Sequence, residues 1–467
     1  MTTVVWFRQD LRVGDNPALA AAAKRGPVVP LFVLDEDGRR PLGAASRWWL
    51  HHSLAALGDS LGGLVLRRGD AAKILPEVAK AAGADTVTWN RCHEPDAIAR
   101  DETVVDALSQ AGVAVQGFNG NLLHEPSEVK TQTGGPFKVY TPFWRACRAR
   151  HVPPPQRAAK PHVQIKGIDS DTLPSWALLP KKPNWATGWD TYWTPGEDGA
   201  QARLDAFLRA DLKDYATARD RMAGRNTSLL SPHLHFGEVS SRQVFARVAF
   251  AGDKPGQSQA AAKFEAELGW REFCAHLVYH FPTIPTENWR EEFDTFEWRR
   301  SAADLRAWQR GETGYPMVDA GMRELWQTGW MHNRVRMIVA SFLVKHLRIH
   351  WREGEAWFWD TLVDADLANN AGNWQWVAGS GADASPYFRI FNPMVQGAKF
   401  DPEGEYVRRW CPELKKLPDK FIHAPFEADA DVLAQAGVKL GRDYPKPIVD
   451  HAEARNAALA AYRKITR

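Results

Sequence analysis

The chain has 467 residues, room for two or three domains, and its 44% hydrophobic and 25% charged content excludes a disordered or fibrous protein. With 59 basic against 56 acidic residues the net charge is only +3, which excludes a globally basic nucleic-acid binder; any patch for a polyanion must be local. Cys92, Cys147, Cys274 and Cys411 stand far apart with no C-x-x-C pair, so no metal site or disulfide framework is indicated, and a reducing cytoplasm is expected. The opening MTTVVWFRQDLR lacks the apolar core of a secretory signal, and no run of about 18 apolar residues occurs, so no membrane association is expected.

Strand and helix signals alternate along the first third. Residues 3–7 (TVVWF) and 28–34 (VVPLFVL) read as strands. Between them a helix starts at about Asn16, with Pro17 in its first turn, and runs to Arg25. Helices follow at 45–61, 71–82 and 96–111, and strands at 64–67, 85–89 and 113–117. This order predicts an α/β domain with a doubly wound parallel sheet. Neither GxGxxG nor GxxxxGK[ST] is present. Residues 151–200 hold HVPPPQ, LPKKPNW and TPGEDG, a proline- and glycine-rich connector. From about 201 the pattern is helical, with helices read at about Pro316–Trp326 and Asn333–Leu347. The division is thus 1–130, a connector at 131–200, and an all-α part at 201–467.

Several residues could carry chemistry. There are 21 tryptophans, 12 of them between Trp270 and Trp410, a helical aromatic core or something more. Thr227, Ser228 and Ser231 precede a helix that Pro232 can start; such hydroxyls cap helices and also suit phosphate oxygens. Glu267, Trp270 and Arg271 fall at i, i+3 and i+4 on one helical face, either an ordinary amphipathic surface or a place to stack and hydrogen-bond a base. Asn370, in ANNAG, reads as a turn residue.

The run WFRQDLRVGDNPAL (Trp6–Leu19) resembles the opening of the photolyase/cryptochrome family. Asn226–Ser240, ELGWREF (Glu267–Phe273), Thr313–Lys345 and Trp351–Pro393 resemble that family's flavin-domain segments, in the family's order along the whole chain. The resemblance implies an antenna domain at 1–130, a connector, and a helical catalytic domain at 201–467 that binds FAD. It implies FAD contacts from Tyr215, Thr227, Ser228, Leu229, Leu230, Ser231, Trp270, Arg271, Arg336, Asp364, Ala365, Asp366 and Asn370. Arg336 and Asp364 match an ion pair facing the flavin, and Asn370 matches the residue at flavin N5. Trp374, Trp351 and Trp298 match the inner, middle and outer members of an electron relay.

The lesion pocket implied by the resemblance comprises Glu267, Trp270, Asn333, Arg334, Met337 and Trp376, with Arg219 facing DNA. Glu267 would support the radical anion of the dimer. Arg221, Arg225, Arg408 and Arg409 are further cations that could meet phosphate. The activity implied is light-driven repair of cyclobutane pyrimidine dimers in UV-damaged DNA, by a monomer. A blue-light sensor is the alternative, and it favours a residue other than Asn at 370 and a long tail; the chain stops at AAYRKITR. A (6-4) photoproduct enzyme would favour histidine where Asn333 stands. Asp96 and Ala97 occupy the place of an Asn-Glu pair in the folate-antenna class, while Pro41–Leu54 looks like the photolyase class nearest to plant cryptochromes. Methenyltetrahydrofolate is the antenna expected, with a deazaflavin as the other choice.

Overall fold

The computed structural model describes residues 1–36, 40–224, 226–384 and 388–466. They form two compact units, each assembled from separate stretches of chain: 1–216 with 227–282 and 363–368, and 217–226 with 283–362 and 369–467.

The first unit is built on five parallel strands in the order β3-β2-β1-β4-β5. They are β1 (Thr2–Phe7), β2 (Val28–Leu34), β3 (Val65–Arg68), β4 (Ala84–Asn90) and β5 (Ala114–Phe118). Apolar runs occupy the middle: every residue of β2 is buried, whereas the edge strand β5 is half exposed, as its Gln116 and Gly117 suggest. Four helices return the chain between strands: α1 (Pro17–Arg25), α2 (Ala44–Leu61), α3 (Ala71–Ala82) and α4 (Pro95–Gln110). Their ends follow local chemistry. The Asn16 side chain accepts from the Leu19 N–H at 3.0 Å, and Pro17 occupies the first turn of α1. Asp70 caps α3 by accepting from Ala72 N–H at 2.9 Å, and Gly83 ends it in the left-handed region (φ 58°).

The proline-rich segment is ordered without being regular. The backbone around Val163 pairs with Val28 (Val28 N–H to His162 O, 2.8 Å; Gln164 N–H to Val28 O, 2.9 Å). A further helix, α5 (Tyr140–Arg148), precedes it. The motif near the N-terminus proves to be a structural hub. The buried Arg12 guanidinium donates to the carbonyls of Gly237 and Asp15 (2.8 Å each) and Gly120 (2.5 Å). Asp15 receives Arg242 at 3.1 and 3.2 Å, and the Ser240 hydroxyl at 2.5 Å. Gly237 is required here: at φ 67°, a Cβ would stand 1.9 Å from the Gln9 carbonyl oxygen.

Among the described residues from 201 on there is no strand, only an isolated bridge at Leu440–Tyr444. In the second unit the main helices include Pro316–Thr328, Asn333–Ser341 and Trp351–Thr361. The helix expected over Asn333–Leu347 is α-helical only to Ser341 and continues as a π turn, Phe342–His346. The wider turn goes with two tertiary ties. Lys345 Nζ donates to Arg389 O at 3.1 Å, and His346 Nε2 meets His451 Nδ1 at 2.8 Å. No helix among the described residues is long and apolar enough to cross a membrane.

Candidate active site

In the first unit, Thr227–Leu230 is an irregular segment that leads into a short helix at Ser231. Leu229 is left-handed (φ 53°) and Leu230 right-handed (φ −87°, ψ −6°), a pairing that turns successive N–H groups toward one concavity suited to an anion. The Leu230 N–H is held by Ser228 Oγ at 3.3 Å, and Ser231 begins a short helix, Ser231–His235, with Pro232 in its first turn. Glu238 braces that helix from below, pairing with His233 and accepting from Trp49 Nε1 at 2.9 Å. Tyr215 is buried edge-on against Phe207 (5.5 Å) and Phe264 (5.2 Å). His235 Nδ1 is buried without a hydrogen-bond partner and stands 3.9 Å from Asp366 Oδ2; Ala365 is buried beside it in sequence. Burial, and then the charge of Asp366, push the Glu94 carboxyl up to about 7, against the opposing pull of His235.

The Ser258–His280 helix places Glu267 one turn before Trp270 and Arg271. Trp270 lies flat on Tyr140, ring centroids 3.7 Å apart. Lys263 Nζ is 3.9 Å from Glu267 Oε1. Arg271 is committed inward, donating to Asn121 O (3.2 Å), Ser241 Oγ (3.1 Å) and Leu234 O (3.3 Å), and so ties the Ser231–His235 helix to a loop and to the next helix.

In the second unit the three tryptophans expected to form a relay lie on or near one helix. Trp298, half-buried, is 4.8 Å from His350 between ring centroids, and His350 is 5.6 Å from Trp351. Trp351, fully buried, opens the Trp351–Thr361 helix and donates from Nε1 to Asn288 Oδ1 at 2.8 Å. One turn on, Gly354 carries the Trp374 ring directly on its backbone: a Cβ there would lie 2.1 Å from Trp374. Phe358, a turn further, meets Trp374 edge-on at 5.0 Å. The buried Asn370 donates from Nδ2 to the Glu355 carboxylate (2.7 Å) and to its carbonyl (3.0 Å).

Known proteins are similar to this chain over nearly all of its length. Residues 3–162 match the family described as DNA photolyase, and residues 264–464 the FAD binding domain of DNA photolyase. A deoxyribodipyrimidine photo-lyase of Agrobacterium fabrum is 54% identical over 99% of this chain and 98% of its own. The chain belongs to the photolyase/cryptochrome family. The crystal structure of a bacterial class III photolyase from Agrobacterium tumefaciens superposes with a TM-score of 0.97 at 53% identity, covering 100% of this chain and 98% of that one. Cryptochrome-2 of Arabidopsis thaliana is 41% identical over 98% of this chain and 78% of its own.

Membership makes this a flavoprotein, and the residues fit FAD on structural grounds. The Leu229–Leu230 concavity suits a phosphate, the unpartnered His235 Nδ1 lies beside Asp366, and Asn370 keeps its Oδ1 end for a donor. Arg336 donates to Met331 O at 2.7 Å; Asp364 is buried. Near the start of the Asn333–Ser341 helix, Asn333 is exposed and Met337 half-buried. Arg334 pairs with Asp220 at 2.8 Å, with its guanidinium over Phe400 (4.5 Å); Arg219 adjoins Asp220 and is half-buried. Trp376 donates to Asp383 O at 3.1 Å.

Among the further cations, Arg409 and Arg221 are exposed. Arg408, on the Glu405–Trp410 helix, instead ties that helix to the segment after it through Leu417 O and Asp419 (2.7 Å each), and Arg225 lies outside the described residues. Sequence reasoning missed Tyr140, Glu94 and Glu355. Glu94 had a faint signal as the acid before a helix-starting Pro95, and the other two had none.

Proposed function

We propose that this chain uses light to split cyclobutane pyrimidine dimers in DNA. The observation that carries this reading is 54% identity, over 99% of the chain, with a deoxyribodipyrimidine photo-lyase. When bound, reduced FAD supplies the light-driven electron that opens the cyclobutane ring.

The chain's own residues do the rest. Thr227, Ser228 and Ser231, with the backbone at Leu229 and Leu230, hold the FAD phosphates. Tyr215, Arg336, Asp364, Ala365 and Asp366 line the remainder of the cofactor. Asn370 presents an acceptor because Glu355 takes its donor end. Trp298, Trp351 and Trp374 pass electrons inward from the surface. Glu267 and Trp270, with Asn333, Arg334, Met337 and Trp376, receive a dimer turned out of the duplex, and Arg219 meets the phosphates. Extrusion is easier for a dimer than for a sound base, because its stacking and pairing are already impaired.

The protein acts as a monomer, and residues 1–130 carry a methenyltetrahydrofolate antenna. A deazaflavin is the competing antenna, joined by a second flavin because an archaeal photolyase from Sulfolobus tokodaii, 30% identical with a TM-score of 0.84, holds two FAD molecules. The test is repair of a dimer-containing oligonucleotide under blue light by the purified protein, with absorption spectra before and after illumination with a thiol. Repair in light and none in darkness is expected. A flavin that reduces normally while dimers persist overturns the reading, and the spectrum identifies the antenna.

A further inference from the structure

The Trp270 ring has a partner that the chemistry above leaves without a task. Tyr140, the first residue of α5, faces it with ring centroids 3.7 Å apart and planes 7° from parallel. Free aromatic pairs favour offset or edge-to-face arrangements over such close overlap, so something imposes it. Two features do. The Tyr140 hydroxyl donates to the Ala266 carbonyl at 2.6 Å. In an α-helix that carbonyl also accepts the backbone N–H four residues on, which belongs to Trp270 itself. The second feature is Gly269: a Cβ there would stand 2.6 Å from the Trp144 ring and 2.9 Å from the Tyr140 hydroxyl, so α5 reaches this helix only over a glycine. Phe273 closes the edges, T-shaped at 5.9 Å to both rings.

Tyr140 is only half-buried, so a space-filling role alone would be met by any apolar side chain. A stacked ring with an anchored hydroxyl does more, because it sets the tilt of Trp270. We infer that Tyr140 is the positioning residue of the lesion platform: it backs one face of Trp270 and holds the other at the angle that accepts an extruded pyrimidine dimer, and so separates damaged from undamaged DNA. A platform held in advance binds more tightly than one that must be ordered on contact. The inference rests on the reading that Trp270 receives the lesion.

The experiment compares binding of the FAD-loaded protein to one oligonucleotide with and without a single dimer. Tyr140→Leu removes stack and anchor; Tyr140→Phe removes the anchor alone. The ratio of the two affinities is expected to fall about tenfold in Tyr140→Leu and about threefold in Tyr140→Phe, the scale of one base–aromatic stack and a part of it. A purely structural role would lower the melting temperature and both affinities together; an unchanged ratio in Tyr140→Leu overturns the inference. If Tyr140→Leu does not fold, Tyr140→Phe decides, an unchanged ratio counting against. Trp270→Ala separates the two levels. Loss of the ratio there but not in Tyr140→Leu defeats only Tyr140's role, whereas no loss in Trp270→Ala defeats the platform itself.

Discussion

The amide of Asn370 can face its surroundings in two ways, and Glu355 decides between them. Both partners on that side, the Glu355 carboxylate at 2.7 Å and its carbonyl at 3.0 Å, are acceptors, so the nitrogen must turn to them. Glu355→Leu removes the carboxylate and is expected to lower the yield of light-driven FAD reduction with FAD still bound, read from absorption under blue light with a thiol. It also costs roughly 1.5–3 kcal/mol of stability if a hydrogen bond to a charged group is lost. Asn370→Asp puts a second acidic group where a neutral amide stood, and added negative charge opposes the charge gained on reduction, so the variant reduces its flavin less completely than wild type. An equal yield in both variants would remove position 370 from the chemistry. Trp374→Phe addresses the relay instead. Its rate of light-driven flavin reduction should fall about tenfold or more, a barrier of at least 1.4 kcal/mol, while repair by chemically reduced enzyme survives. A wild-type rate would show that electrons enter by another route.

Elements were legible in the sequence where local chemistry defines them. The bounds of α1 and α3 follow from Asn16, Pro17, Asp70 and Gly83, residues within a turn of the ends they define. The π turn at Phe342–His346 was not legible, since it accompanies ties from Lys345 to Arg389 and from His346 to His451, distant in sequence. Arg271 shows the same limit. Helical spacing puts it near Glu267 and Trp270, yet its guanidinium answers Asn121, Ser241 and Leu234. The Trp351–Thr361 helix supplies the prediction at this scale. Three of its successive turns carry Trp351, Gly354 and Phe358, and the Trp374 ring rests on the middle one. Gly354→Ala would drive a methyl into that ring. Overpacking of this kind costs roughly 1–3 kcal/mol and should also slow flavin photoreduction, because Trp374 is displaced from Trp351. Thermal melting and photoreduction of one preparation test both, and a neutral effect on each would mean that the ring relaxes without consequence.

Across the whole molecule, buried titratable groups oppose one another as pH changes. Burial lowers His93, His276, His332 and His350 to about 4. Below the ordinary histidine range the unfolded chain takes up these protons first, so their stabilisation is present above about pH 6.5 and is lost as pH falls toward 4. Glu94, Glu272 and Glu324 are instead pushed up to about 7 by burial. There the folded state keeps the proton longer, so the contribution is full below about pH 4.5 and is lost as pH rises through about 7. Glu324 is the clearest case. It accepts from the Tyr406 hydroxyl at 2.6 Å and from His332 N–H at 3.3 Å, and these donors pull against the dominant cost of burying its charge. Glu324→Gln keeps an acceptor for Tyr406 and carries no charge at any pH. Relative to wild type it should therefore gain stability between about pH 5 and about pH 8, by an amount no larger than roughly 3 kcal/mol, the equivalent of a rise from 4.5 to about 7. Denaturant unfolding of the two proteins at both pH values measures this difference directly. A difference that does not change with pH would mean that Glu324 ionises alike in the folded and unfolded chain, and that its buried setting is relieved by water reaching the carboxylate.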